Sequence, residues 1–421
     1  MNTREFAQQC DRNDELASFY HQFQHPDNLI YLDGNSLGKQ PLEAEAIIND
    51  VLKEQWGRNL IRSWNDHWLD LPKKIAAHIA EILKVKPSEV SVGESTSVNL
   101  YKLAHALVYS GKFKPQLITD SLNFPTDNYI LEGIATQGDL SEVICVNYSS
   151  DLEADLERLK QTILENPGVI CLSLVSYKSA YLYPIKMLNT FAKDANSIII
   201  WDLSHAVGAV DLDLKNTGTL AAIGCTYKYL NGGPGAPAFL YIDEGLIGEL
   251  KSPVQGWFGH SNPFDFASEF KPATGIDKFK AGTPQILSLA PLKAGLSLTL
   301  EASTKKIRAK SESTSSYLLD LVQSELVPLG FTIESPLEVE KRGSHITLSH
   351  QESWRICQCL QHPIANRPTI IVDFRPDRFI RIGITPLYTR FEDLWKTVER
   401  LKEIVSTEEY LRHDGKKPVV T

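Results

Sequence analysis

Cysteine is scarce in this chain of 421 residues: Cys10, Cys145, Cys171, Cys225, Cys357 and Cys359 are spread thinly along it. They form no CxxC pair and no zinc-type Cys/His spacing, which argues against a disulfide framework or a structural metal and leaves most of them as small apolar core fillers. Metal catalysis has no motif either. The 11 histidines are scattered without HExxH, His345 and His350 are too widely spaced for one helical face, and they read as surface residues. No GxGxxG follows an early strand, so a dinucleotide fold has little support. No apolar run approaches the roughly eighteen residues of a membrane span, and MNTREFAQQCDRNDELASFY carries charges where a signal peptide needs its apolar stretch. The expected location is the cytoplasm. Positive charge is in deficit, with 43 Lys and Arg against 52 Asp and Glu and a net charge of −9. That balance disfavours nucleic acid and anionic membranes and makes small-molecule chemistry the better expectation.

With 43% hydrophobic and 23% charged residues, the chain can bury a sizeable core. Its length suits two to three domains, or one large α/β core with a smaller appendage. Residues 3 to 24 read as a short polar helix, LIYLD (29 to 33) as a strand and GNSLGKQP as a turn closed by Pro41. Helical spacing follows over 42 to 56 and 71 to 85. Between residues 90 and 245 short apolar runs alternate with helix-length segments: QLITD, EVICVNY, GVICLSLVSY, NSIIIWD, AAIGCTYK and APAFLYI. Such runs predict a mostly parallel sheet covered on both faces, a doubly wound α/β core whose site lies at the carboxyl edge of the strands. After residue 285 the pattern becomes one long helix-like stretch (288 to 326), then candidate strands FTIES, SHITLSH, TIIVDF and FIRIGI and a closing helix, a separate α+β lobe. The expected partition is an N-terminal segment (1–40) packing on the small domain, a large α/β domain (41–290) and a small C-terminal α+β domain (291–421). The last ten residues read as a frayed tail.

The segment from Ile198 to Tyr241 carries the most chemistry. In IIIWDLSHAVGAV a buried strand ends in Asp202, with His205 three residues on. A carboxylate there is costly unless it meets a cation, and a pyridinium nitrogen would supply one; a turn-capping Asp is the plainer alternative. In GCTYKYLNGGPG, Lys228 follows Tyr227 in an otherwise uncharged stretch, where a desolvated amine becomes nucleophilic; a surface lysine with a buried stem is the alternative. The glycines of the NGGPG loop let the backbone turn closely past a ligand. GESTSVN (93 to 99) places Ser95, Thr96 and Ser97 at a helix start, suited to a phosphate or to an ordinary N-cap.

Together YLDGNSLGKQP, NFPTDNY, WDLSHAVGAVDLDL, TYKYLNGGPGAPAFLYI and GWFGH resemble the kynureninases, a family of the aminotransferase class V superfamily of pyridoxal-phosphate enzymes, over about residues 29 to 390. The resemblance implies the fold type I architecture of pyridoxal-phosphate transferases, pyridoxal 5′-phosphate as cofactor, and Lys228 as the residue that holds it. It implies Asp202 at the pyridine nitrogen with His205 close by, and Tyr227, Thr96 and Ser97 at the phosphate. It further implies Phe124 stacked on the ring, Asp127 near its edge and Ser173 as another cofactor contact. Trp257 and Thr283 match positions that reach the neighbouring subunit's cofactor phosphate, so a homodimer with shared sites is implied. Arg381, rather than Arg378 in its turn, matches the arginine for the substrate α-carboxylate, with Ser36 as a second substrate contact.

The implied reaction is hydrolysis of L-kynurenine, or 3-hydroxykynurenine, to anthranilate, or 3-hydroxyanthranilate, and L-alanine, in tryptophan catabolism or NAD biosynthesis. Lys228, Tyr227 and Asp202 would be its catalytic residues, with Tyr227 as a proton donor. A non-catalytic homologue that binds the cofactor for regulation is disfavoured because Lys228, Tyr227, Asp202 and Arg381 are all intact, and two catalytic rivals stand beside this reading. GNSLG formally matches a GxSxG nucleophile elbow with Ser36 as nucleophile, although Lys39-Gln40-Pro41 delays the helix that an elbow needs. A cysteine desulfurase or aminotransferase of the same superfamily is the other, although none of the six cysteines lies in a convincing loop of the second half.

Overall fold

The computed structural model describes residues 3–364 and 366–415. Thirteen strands occur among them. The first eight are β1 (Leu29–Tyr31), β2 (Val90–Val92), β3 (Leu117–Asp120), β4 (Ile144–Val146), β5 (Val169–Ser173), β6 (Ile198–Asp202), β7 (Ala221–Gly224) and β8 (Phe239–Ile242). Seven of them, all but β1, form one sheet in the order β2-β8-β7-β6-β5-β3-β4, in which only β8 runs antiparallel to its neighbours. Alternation along these strands explains why both faces are covered. Ile199 and Trp201 of β6 enter one core with the helices Leu71–Leu83 and Ile185–Asp194, whereas Ile198 and Ile200 enter another with the helices Thr96–Val108 and Pro125–Gln137. Ser173, Asp202 and the segment after Gly224 all emerge at the same carboxyl edge.

A second sheet comprises β9 (Thr332–Ile333), β10 (His345–Ser349), β12 (Asp373–Arg375) and β13 (Phe379–Gly383) in the order β12-β13-β10-β9. The run TIIVDF is divided rather than continuous: β11 (Thr369–Ile371) leaves this sheet to pair in parallel with β1. The N-terminal residues reach the same region. Asp11 accepts from the backbone N–H groups of Phe391 (2.7 Å) and Glu392 (3.0 Å), satisfying the free donors at the start of the helix Phe391–Ser406.

Several expected elements differ. The helix over 3–24 ends at Arg12, and Ala17–Gln22 follows as a separate 3₁₀ turn. The helix over 42–56 widens after Asp50 into π-type turns. The long stretch 288–326 breaks at Ser303, whose φ of 68° is incompatible with a right-handed helix, giving the helices Leu292–Ala302 and Thr304–Leu321. A 3₁₀ turn, Glu409–Arg412, in which Glu409 pairs with Arg400 and Arg412, leads into the expected tail, of which residues 416–421 lie outside the described residues. His345 and His205 are buried, not on the surface, at 0% and 7% exposure. Of the cysteines, Cys171, Cys225, Cys357 and Cys359 are buried as expected, Cys145 is exposed, and all six are free.

Candidate active site

A cavity of about 570 Å³ opens at the carboxyl edge of the large sheet, within the usual range for a small-molecule site. Thr96, Ser97, Phe124, Asp127, Asp202, His205, Tyr227 and Lys228 all line it. The strand-end acid and the lysine expected to face one another therefore share a wall. Ser173, Ser36, Arg381, Trp257 and Thr283 are not among its lining residues.

Asp202 ends β6, where its Oδ1 accepts from the backbone N–H (2.8 Å) and hydroxyl (2.6 Å) of Ser204. The Ser204 hydroxyl in turn accepts from the Cys225 N–H, tying the turn after β6 to the turn after β7. Asp127 lies in the first turn of the helix Pro125–Gln137 and is 3% exposed, with no partner for its Oδ2. Burial pushes both carboxyls up, and their mutual repulsion adds to the shift of Asp127. Two donors from Ser204 oppose that rise at Asp202 and have no counterpart at Asp127, so Asp202 is the stronger acid of the pair.

The Lys228 Nζ stands 3.3 Å from His205 Nε2 and 3.4 Å from Nδ1. Burial lowers the lysine below its ordinary range; Cys225 and Asp202 oppose that shift, and Arg381 and Arg375 reinforce it. Burial likewise drives His205 well below the usual histidine range, with Lys228 and Arg381 adding to the effect. Tyr227 is pushed upward by burial, so its phenol keeps its proton.

Ser95, not Thr96, is the N-cap of the helix Thr96–Val108, its hydroxyl accepting from Val98 N–H at 3.3 Å. Thr96 and Ser97 thus occupy the first turn, where free N–H groups favour an anion. Phe124 presents a 39% exposed ring at the rim, edge-on to Tyr177. Ser173 donates to Asn123 Oδ1 at 2.5 Å, behind the wall.

Arg381 lies on β13 and is 1% exposed; it pairs with Asp373 and donates to Tyr177 O and, at 3.2 Å, to Ser36 Oγ. Arg378 is exposed in the turn between β12 and β13. The turn bearing Ser36 has no helix immediately after it, since the next begins at Leu42, so the elbow geometry is absent. Trp257 sits among Phe258, Phe264 and Phe266 and is 40% exposed, and Thr283 is exposed.

Sequence reasoning missed Ser204, Asp373, Arg375 and His345. The first three had a signal, because an Asp two residues before a Ser or an Arg at a strand end invites a local hydrogen bond or ion pair. His345, whose ring centroid is 5.7 Å from that of His205, had none.

A profile of the Aminotransferase class-V family matches residues 31–352, and one of the Kynureninase C-terminal domain matches residues 307–401. Kynureninase of Pseudomonas fluorescens is 38% identical over 410 residues, 96% of each chain, and kynureninase of Burkholderia pseudomallei (strain K96243) is 36% identical over 413 residues, 97% of each. The chain belongs to the kynureninase family. Among solved structures, a cysteine desulfurase from Thermococcus onnurineus NA1 aligns with a TM-score of 0.79 at 16% identity, covering 93% of this chain and 98% of its own. The Escherichia coli cysteine desulfurase CsdA aligns at 0.77 and 15% identity, covering 94% and 98%. These likenesses show the fold, that of fold type I pyridoxal-phosphate enzymes. Desulfurase chemistry itself finds no exposed cysteine in the second half: Cys357 and Cys359 are buried in the helix Ser353–Gln361, and Cys225, at the cavity wall, is buried with its thiol pushed up by desolvation.

Pyridoxal phosphate fits the residues present. The cavity offers a desolvated amine, a hydrogen-bonded carboxylate to match a protonated ring nitrogen, a helix start for a phosphate and an exposed aromatic face. Among the described residues, no group of three or more His, Cys, Asp or Glu is placed to hold a metal ion, and no helix is long and apolar enough to cross a membrane.

Proposed function

We propose that this chain hydrolyses L-kynurenine, or its 3-hydroxy derivative, to the corresponding anthranilate and L-alanine, with pyridoxal 5′-phosphate carried on Lys228. The observation that carries this reading is the buried amine of Lys228 opening into one cavity with Asp202, Asp127 and the first turn of the helix Thr96–Val108. Kinship with the kynureninases supplies the substrate.

When bound, the cofactor supplies a protonated aromatic ring that stabilises the electron pair left when the substrate Cα loses its proton. Asp202 would hold the ring nitrogen; Thr96, Ser97 and Tyr227 the phosphate; Phe124 one ring face; Asp127 and His205 the ring edge, with Ser173 acting from outside the lining through Asn123. Lys228 Nζ, whose hold on a proton burial weakens, would take the Cα proton. Arg381 and Ser36 would receive the α-carboxylate. The protonated phenol of Tyr227 would give a proton as water adds to the γ-carbonyl and the Cβ–Cγ bond breaks. The water oxygen leaves in the anthranilate carboxylate, and Cβ gains a proton to become the methyl group of alanine.

Trp257 and Thr283, outside this cavity and exposed, would then complete the phosphate site of a second copy in a homodimer. The working partition is an N-terminal segment (1–40), a cofactor domain (41–290) and a small domain (291–421), in a cytoplasmic enzyme. Borohydride reduction of the holoenzyme, peptide mapping and an anthranilate-release assay test the proposal. Label on Lys228 with anthranilate formed is the expected result. Label on another lysine, or no anthranilate from kynurenine, overturns it.

A further inference from the structure

Arg381 has no free edge. A guanidinium grips a carboxylate through two neighbouring N–H groups of its planar fork. On Arg381 the Nε and Nη2 edge is taken by Asp373, and the opposite edge by Tyr177 O on Nη1 and Ser36 Oγ on Nη2. Asp373 is 5% exposed, faces Arg381 directly across the β12–β13 pair, and has a second cation already in reach: Arg375 Nε donates to its Oδ2 at 2.9 Å. The Arg375 side chain is 35% exposed, whereas that of Arg381 is 1% exposed.

We infer that Asp373 is a positioning residue that serves as the internal counter-ion of Arg381 and competes with the substrate α-carboxylate, Arg375 being the cation that receives Asp373 when substrate displaces it. This rests on the reading of Arg381 as the carboxylate site. A buried guanidinium without a counter-charge is costly, so the empty site needs an acid there. An incoming carboxylate supplies the same charge at the same edge. Asp373 can yield because the handover leaves neither Asp373 nor Arg381 unpaired. Tyr177 O is backbone and Ser36 is neutral, so neither neutralises the arginine, and Asp33, whose charge also acts on it, makes no ion pair with it, whereas Asp373 does.

The test uses the holoenzyme and two amines, L-alanine and its decarboxylated counterpart ethylamine, with dissociation constants read from the visible absorption band. Asp373→Asn tightens L-alanine by about fivefold or more, the low end of such a coupling, and leaves ethylamine unmoved. Arg375→Ala weakens L-alanine, and does so no longer in the Asp373→Asn background, which separates handover from the general field of a positive charge. For kynurenine, KM falls in Asp373→Asn while kcat stays within about twofold. Weaker or unchanged L-alanine binding in Asp373→Asn, an equal shift for ethylamine, or an Arg375→Ala loss that persists in the double variant overturns the inference. Asp373→Ser replaces Asp373→Asn if the latter does not fold. Native-like L-alanine binding by Arg381→Ala overturns instead the reading of Arg381 itself.

Discussion

Lys228 Nζ and His205 Nε2 lie 3.3 Å apart, two buried bases whose hold on a proton burial weakens. Protonating either one would place a cation against the other. The amine therefore loses its proton at lower pH than an ordinary lysine, whose value is 10.5. Mixing ligand-free protein with pyridoxal phosphate and following the absorbance across pH should give an attachment rate that levels off below that value. A rate still climbing toward it would show an unperturbed lysine.

Tyr227→Phe separates chemistry from architecture. The phenol keeps its proton at neutral pH, and the ring lies 5.9 Å from the Lys228 Nζ. Removing one hydroxyl should lower kcat by about a hundredfold or more, the scale of a lost acid, while cofactor retention changes much less. Equal losses in both measurements would assign the tyrosine a purely structural part.

Asp33→Asn should stabilise the fold in a pH-dependent way. Asp33 has no partner for Oδ1, and burial, with repulsion from Asp373, raises its carboxyl to about 6 from 3.8. The folded chain therefore binds more protons than the unfolded one between these values, so the stability of the neutral form is complete below 3.8 and is lost as pH rises through about 6. The asparagine variant should be more stable than the native chain by about 1–2 kcal/mol above that range and equal to it in acid. Thermal unfolding at the two pH extremes decides this, and a constant offset at both would refute it.

Gly38→Ala should damage the lysine loop. A Cβ there would sit 2.4 Å from both Lys228 O and Asn231 Oδ1, so the turn must back away from the residue it supports. Overpacking of this kind costs about 1–3 kcal/mol. Both the unfolding midpoint and cofactor affinity should fall, and a variant with native values of each would show that the contact is readily relaxed.

Much of this was legible because the apolar runs between 90 and 245 are short, rich in Ile and Val, and end in polar residues, which is the pattern of strands covered on both faces. Asp202, Tyr227 and Lys228 could be placed at one edge because each directly follows such a run. The break at Ser303 was not legible, since a serine with φ of 68° leaves no mark in apolar spacing. The division of TIIVDF between two sheets was hidden for a related reason: Val372 is as apolar as its neighbours, and only pairing with β1 reveals the change. His345 escaped because its importance lies in His205 opposite it across the fold, and although the spacing of Asp373 and Arg375 hints at their pair, nothing in sequence spacing encodes that Asp373 faces Arg381.

The turn from Asp33 to Gly38 touches both anchoring groups of the proposed site. Its Gly38 N–H binds the carbonyl of Tyr227, next to the lysine, and its Ser36 hydroxyl meets the Arg381 fork. On the proposed reading that short peptide would act as a spacer rod between the grip on an amino acid's nitrogen and the grip on its carboxylate. Lengthening or shortening it by one residue would mistune both at once.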